Sequence, residues 1–90
     1  MKKGKKGLSA PKSDEERIKQ GHAAEAVLNS PVFNEAFEIL EDKYINSFLR
    51  SNLEQRDLRE TAYLSLRVLS ELRLELESMI NGGKLAAKNT

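Results

Sequence analysis

Apolar residues recur every three or four positions along two long stretches of this chain. At 100° per residue, Phe33, Ala36, Phe37, Leu40, Tyr44, Ser47 and Phe48 fall within an arc of about 120°, and Glu35, Glu38, Glu41 and Asp42 lie outside it. Further on, Leu58, Ala62, Leu66, Val68, Leu69, Leu72, Leu76, Met79 and Ile80 share an arc of about 160°, with Arg59, Glu60, Arg67, Glu71, Glu77 and Ser78 outside it. The spacing predicts an amphipathic helix over about Pro31 to Arg50. A second begins between Leu53 and Leu58 and runs to Ile80. A weaker stripe of Ile18, His22, Ala26 and Val27 predicts a shorter helix from Ser13 to about Leu28, with Gly21 lowering its intrinsic stability by about 1 kcal/mol relative to Ala.

The ends of these helices carry their own signals. Ser13 with Glu16 three residues later is a capping box, and Asp14, Glu15 and Glu16 suit the positive end of the helix dipole. Asn29-Ser30-Pro31 ends the first helix, because proline disfavours helical backbone before it and fits the first turn after it. Ser30 or Asn29 is the expected cap of the second helix, and Asn52 or Asp57 that of the third. Gly82-Gly83 reads as a helix stop followed by a tail. No stretch alternates with period two and no internal repeat is visible, so the expected fold is all-α. Two long amphipathic helices joined by a short link predict an antiparallel helical hairpin, with the shorter N-terminal helix as a lid or arm. The expected organisation is a basic flexible tail over 1–12, a helical domain over 13–81 and a C-terminal tail over 82–90.

Ninety residues with no cysteine bound what such a hairpin can do. A core built from roughly 65–70 residues is marginal by itself, and disulfides are not there to supplement it. Self-association or a partner is the usual supplement. No apolar run approaches the roughly 20 residues of a membrane span, and no apolar segment follows the basic start as a secretory signal would require. A membrane partner is therefore not expected, and a cytoplasmic setting, or a particle assembled there, is.

The net charge of +1 conceals a strong segregation. Residues 1–12 carry Lys2, Lys3, Lys5, Lys6 and Lys12, and residues 81–90 carry Lys84 and Lys88, with no acid in either segment. The stretch between them holds eight bases against all fourteen acids, a charge of about −6 joined to ends of about +7. Lysines spaced by glycine suit a phosphate backbone or an acidic protein surface. They carry no interleaved aromatics for base stacking, so Lys2, Lys3, Lys5, Lys6 and Lys12 are candidates for nonspecific DNA or acidic-surface contact.

Catalytic chemistry is not indicated. His22 is the only histidine and has no nucleophile setting around it. Glu38, Glu41 and Asp42 lack the Glu-x-x-His partner of a di-iron bundle, and Gly4-Lys5-Lys6-Gly7 lacks the strand, spacing and helix of a phosphate loop. The expectation is a chain that is not an enzyme, without cofactor, metal or small-molecule substrate. The acids Glu35, Glu38, Glu41 and Asp42 leave open a third reading, a nucleic-acid mimic directed at a host enzyme. The wide arc of the last helix points instead to a protein partner. One neighbouring helix covers roughly 100° of it, which leaves Val68 and Met79 on one flank and Leu66 and Ile80 toward the other. Tyr63, Leu64 and Leu74 add apolar area behind, so Tyr63, Leu64, Leu66, Val68, Leu74, Met79 and Ile80 form the candidate partner interface.

The run Leu28-Asn29-Ser30-Pro31-Val32-Phe33, followed by Ala36-Phe37, Leu40-Glu41 and Tyr44-Ile45, resembles a family of short helical proteins encoded by tailed bacteriophages. The resemblance continues through Arg59-Glu60, which opens a leucine-rich helix, to Gly83-Lys84-Leu85-Ala86, and covers Gln20 to Ala87. Phe48 stands where relatives often carry Trp. The resemblance implies a phage origin, a gene near those for DNA packaging and particle assembly, and a location in the host cytoplasm or the virion. It transfers no catalytic or binding residue. The expected function is a structural, assembly or adaptor protein that associates with itself or with a larger virion or packaging protein. The alternative is a factor like the small terminase subunit, holding DNA nonspecifically through its lysine tails.

Overall fold

A computed structural model of the chain describes residues 12–89. Among them are three helices and no strand: α1 (Asp14–Leu28), α2 (Pro31–Arg50) and α3 (Arg56–Lys88). The expected basic tail over 1–12 lies, except for Lys12, outside the described residues.

The start of α1 is closed as the capping box requires. Glu16 N donates to Ser13 Oγ at 3.1 Å and Ser13 N donates to Glu16 Oε1 at 2.9 Å. The backbone hydrogen bond from Ser13, helped by its hydroxyl, holds the Glu16 carboxyl below its ordinary value. A carboxylate whose folded pKa is depressed stabilises the fold fully above its unfolded value of 4.5, and that contribution disappears as the pH falls through the lower folded value. The protection factors of the amides over Asp14–Arg17 should therefore fall on acidification below 4.5. Ser13→Ala should remove most of that pH dependence, and an unchanged profile in the variant would refute the assignment.

Between α1 and α2 the chain makes an elbow of two residues. Ser30 Oγ accepts from Phe33 N at 3.3 Å, which settles the cap of α2 on Ser30. The Asn34 amide donates to Leu28 O at 2.8 Å and to Ser30 O at 3.0 Å, so one side chain ties the end of α1 to the first turn of α2. The link from α2 to α3 is closed differently from the sequence expectation. Gln55 is the cap residue and makes no side-chain capping bond. Asn52 instead builds the preceding turn: Glu54 N donates to Asn52 Oδ1, Asn52 N donates to Gln55 Oε1, and the Arg59 guanidinium donates to Asn52 O.

Two sequence expectations are corrected. The tail expected from residue 82 is mostly helix, because α3 continues through Gly82 and Gly83 to Lys88. Its length of 33 residues corresponds to about 50 Å, nearly the whole 55 Å long axis of the molecule. The stripe expected on α1 is also displaced. His22 and Ala26 are exposed, and the face toward α3 is built from Gly21 and Ala24, which are buried, with Arg17, Ile18 and Leu28 half-buried beside them. The reason for both corrections is one contact. Gly21 and Gly83 stack backbone on backbone: a β-carbon on Gly83 would lie 2.9 Å from Arg17 O and 3.2 Å from Gly21 Cα, and one on Gly21 would lie 3.0 Å from Met79 O. Two helices approach this closely only where neither carries a side chain. Ala24 and Ala86, each three residues beyond its glycine, are buried on either side of the crossing. The seat for α1 compensates the glycines' poor helix propensity, so α3 is not interrupted there.

α2 docks farther back along α3. The Arg73 guanidinium lies 4.3 Å from the centre of the Phe37 ring, and Phe33 packs tilted against Phe37 at 5.7 Å. Lys43, Ser47 and Arg50, near the end of α2, share a depression with Gln55 and Leu58 at the start of α3. Followed forward, α1 and then α2 thus meet α3 progressively closer to its beginning. Between themselves α1 and α2 make little contact, because they lie nearly end to end. The molecule is consequently thin, 19 Å in its shortest dimension, about two helix diameters.

Candidate interaction surface

Such a thin layer has almost no interior. The buried apolar residues among those described are Ala24, Phe37, Ala62 and Ala86, so one phenylalanine is the only large one. Larger aliphatic side chains remain in water on both α2 and α3: Leu64 is 54% exposed, Val68 62%, Leu74 59% and Ile39 59%. Scattered exposed aliphatics are ordinary on a protein surface, but rows at helical spacing are not.

The seven residues of the sequence-derived interface are divided by the structure into three groups. Met79 and Ile80 are half-buried where α1 crosses α3: Met79 O sits beside Gly21, and Ile80 lines a shallow depression of about 120 Å³ with Ile18, His22 and Glu25. Leu66 is half-buried in the register that faces α2. Leu64 and Val68 stand four residues apart on one flank of α3 and are continued by exposed Leu72. Tyr63 and Leu74 project about 130° away from the middle of that flank, on an edge dominated by polar groups. There Arg67 donates to Tyr63 Oη at 3.2 Å and approaches Glu71 at 3.7 Å. The hydrogen bond to Tyr63, with the charge of Glu71 behind it, raises the Arg67 pKa above its ordinary value. Tyr63 is thereby engaged by its own helix, whereas Leu64, Val68 and Leu72 are not.

Of the candidate cationic contacts, Lys2, Lys3, Lys5 and Lys6 lie outside the described residues, and Lys12 is exposed one residue before the α1 cap. Lys84 and Lys88 sit on the last turns of α3, where cations oppose the negative end of the helix dipole. Glu35, Glu38 and Asp42 are exposed and Glu41 is half-buried on α2. Among the described residues no three His, Asp or Glu side chains are placed to hold a metal ion, and no helix is long and apolar enough to cross a membrane.

Sequence reasoning missed Leu72 and the two glycines. Leu72 belongs to the 160° arc and falls within the part that one neighbouring helix is expected to cover. The glycine crossing left a legible trace, the matched spacing Gly21-x-x-Ala24 and Gly83-x-x-Ala86 on two different helices. No known family model, curated protein or solved structure matches this chain.

Proposed function

We propose that the chain is a non-enzymatic association module, a structural or adaptor component that completes its hydrophobic core against another protein surface. In this reading α2 and α3 form an antiparallel hairpin and α1 serves as a strap that braces the far end of α3. The observation that carries the proposal is the imbalance of burial: three alanines and one phenylalanine are enclosed, while Ile39, Leu64, Val68 and Leu74 are each more than half exposed. Hydrophobic burial is the dominant favourable contribution to folding and association, and a helical layer that leaves rows of aliphatics wet gains most by covering them. The setting proposed for this module, assembly or packaging in a tailed bacteriophage, rests on the resemblance of residues 20–87 alone. The purified chain should bind a hydrophobic reporter dye or elute as an oligomer by size exclusion with light scattering. A dye-silent monomer would remove the proposal.

A further inference from the structure

We propose that the depression between the end of α2 and the start of α3 is an anion site, which takes the doubly charged phosphate group of a small phosphate monoester. The proposal stands apart from the association reading above and does not need it.

Helical spacing brings the site together. Lys43, Asn46, Ser47 and Arg50 follow one another at i, i+3, i+4 and i+7, so they form one strip over the last two turns of α2. Gln55 and Leu58, at the start of α3, line the other side of a depression of about 450 Å³. That volume falls within the range of about 300–1,000 Å³ usual for small-molecule clefts.

Unused donors are the observation behind the proposal. Elsewhere in the molecule cations find an acid on the neighbouring turn: Arg17 approaches Asp14 at 3.7 Å, and Arg67 approaches Glu71 at 3.7 Å. The corresponding positions around Lys43 are Ile39, Leu40, Asn46 and Ser47. Those preceding Arg50 are Asn46 and Ser47, so neither cation has an acid one turn away within α2. Among the described residues no carboxylate lines the depression, and none pairs with either cation. Ser47 is half-buried, yet its hydroxyl does not donate to the carbonyl one turn back, as Ser65 does to Thr61 O at 2.8 Å. The Asn46 side chain is likewise without a bond inside the chain. Gln55 Oε1 accepts from Asn52 N at 3.0 Å, which leaves the Nε2 end of that amide free to donate.

The chemistry of these groups selects the ligand. All five polar side chains can donate, and a guanidinium fork beside an ammonium suits the oxygens of a phosphate. Lys43 and Arg50 are about 10 Å apart along the helix axis, a gap that their long, flexible side chains can close onto one anion. Their two positive charges match a phosphate monoester, which is close to doubly ionised above its second pKa of about 6. Leu58 supplies an apolar wall for the organic part of the ester. The surroundings disfavour a nucleic-acid strand. Over residues 42–57 the acids Asp42, Glu54 and Asp57 balance Lys43, Arg50 and Arg56. Positive charge is therefore confined to the depression and does not extend into the basic track that a phosphate backbone follows.

Two-dimensional NMR of the full chain, titrated above about pH 7 with inorganic phosphate and with phenyl phosphate, tests this. Both should shift the amide signals of residues 43–50 and 55–58 in a saturable way at millimolar concentration, as two charge-assisted contacts open to water allow. Phenyl phosphate should bind the more tightly, through Leu58. Lys43→Gln and Arg50→Gln, both at exposed positions, should keep the helical circular dichroism and each weaken binding by about 10-fold or more. The double variant should not saturate. Lys84→Gln, near the far end of α3, should bind as the wild type does. Shifts that sodium chloride reproduces at matched ionic strength, or that survive in the double variant, would overturn the proposal. Inorganic phosphate that binds as tightly as phenyl phosphate would overturn the assignment to a monoester. So would a short DNA duplex that shifts the same signals at lower concentration, because the ligand would then be a phosphodiester backbone.

Discussion

Phe37→Ala should unfold much of this molecule's margin of stability, with an expected loss of about 3–4 kcal/mol, the usual cost of deleting a buried aromatic ring. Among the described residues Phe37 is the only large side chain that is buried, at 3% exposure. Its ring contacts Phe33, with centroids 5.7 Å apart, and the Arg73 guanidinium, 4.3 Å from its centre. Removal therefore takes away an aromatic pair and a cation–π contact together with the transfer free energy. For a domain of this size the loss corresponds to a fall in melting temperature of roughly 15–25 °C. Thermal melts by circular dichroism at one fixed protein concentration measure it, since association would otherwise shift the midpoint. Val32→Ala, on the same helix but 72% exposed, should change stability by no more than about 0.5 kcal/mol. Equal effects of the two substitutions would show that α2 does not dock through Phe37.

Adjacent glycines should respond to the same substitution with opposite signs. Gly82→Ala places a methyl group where nothing lies within 4 Å and removes a helix-weakening glycine, so it should stabilise by up to about 1 kcal/mol. Gly83→Ala makes the same gain in propensity but drives its β-carbon to 2.9 Å from Arg17 O and 3.2 Å from Gly21 Cα. Both are backbone atoms, which cannot rotate aside, so α1 must lift off α3. Overpacking of this kind costs about 1–3 kcal/mol, enough to outweigh the helix gain. Chemical denaturation gives the sign for each variant. Amide exchange localises the damage, which should fall on Gln20–Ala24 and spare α2. Stabilisation by Gly83→Ala would mean that α1 does not cross α3 at this point.

The contrast between these two glycines shows where sequence reading stops. The capping box at Ser13, the break at Ser30-Pro31 and the apolar period of α2 were all legible, because each is decided by residues within one or two turns of one another. Gly82-Gly83 was read by the same local rules as a helix stop, and local rules fail there. What keeps Gly83 helical is the backbone of Gly21, sixty-two positions away. The weak stripe expected through Ile18, His22, Ala26 and Val27 holds only at Ile18, for a related reason. Hydrophobic periodicity detects helices that bury large side chains, and α1 docks by having almost none at its crossing. The candidate surface was partly visible: Leu64 and Val68 were identified as apolar positions in excess of what one hairpin can cover. Met79 and Ile80 belonged to the same excess until α1 was placed upon them.

By itself, then, the sequence determined an all-helical chain, most of its helix boundaries and the surplus of aliphatic positions on the last helix. These follow from periodicity, capping and composition, which act at short range along the chain. Only the tertiary structure decided which flank of α3 α1 occupies, that α3 continues to Lys88, and that Leu64, Val68 and Leu72 stay exposed beside an otherwise covered row. Those outcomes depend on how closely two backbones approach, and that distance is fixed by pairs of residues no local pattern connects.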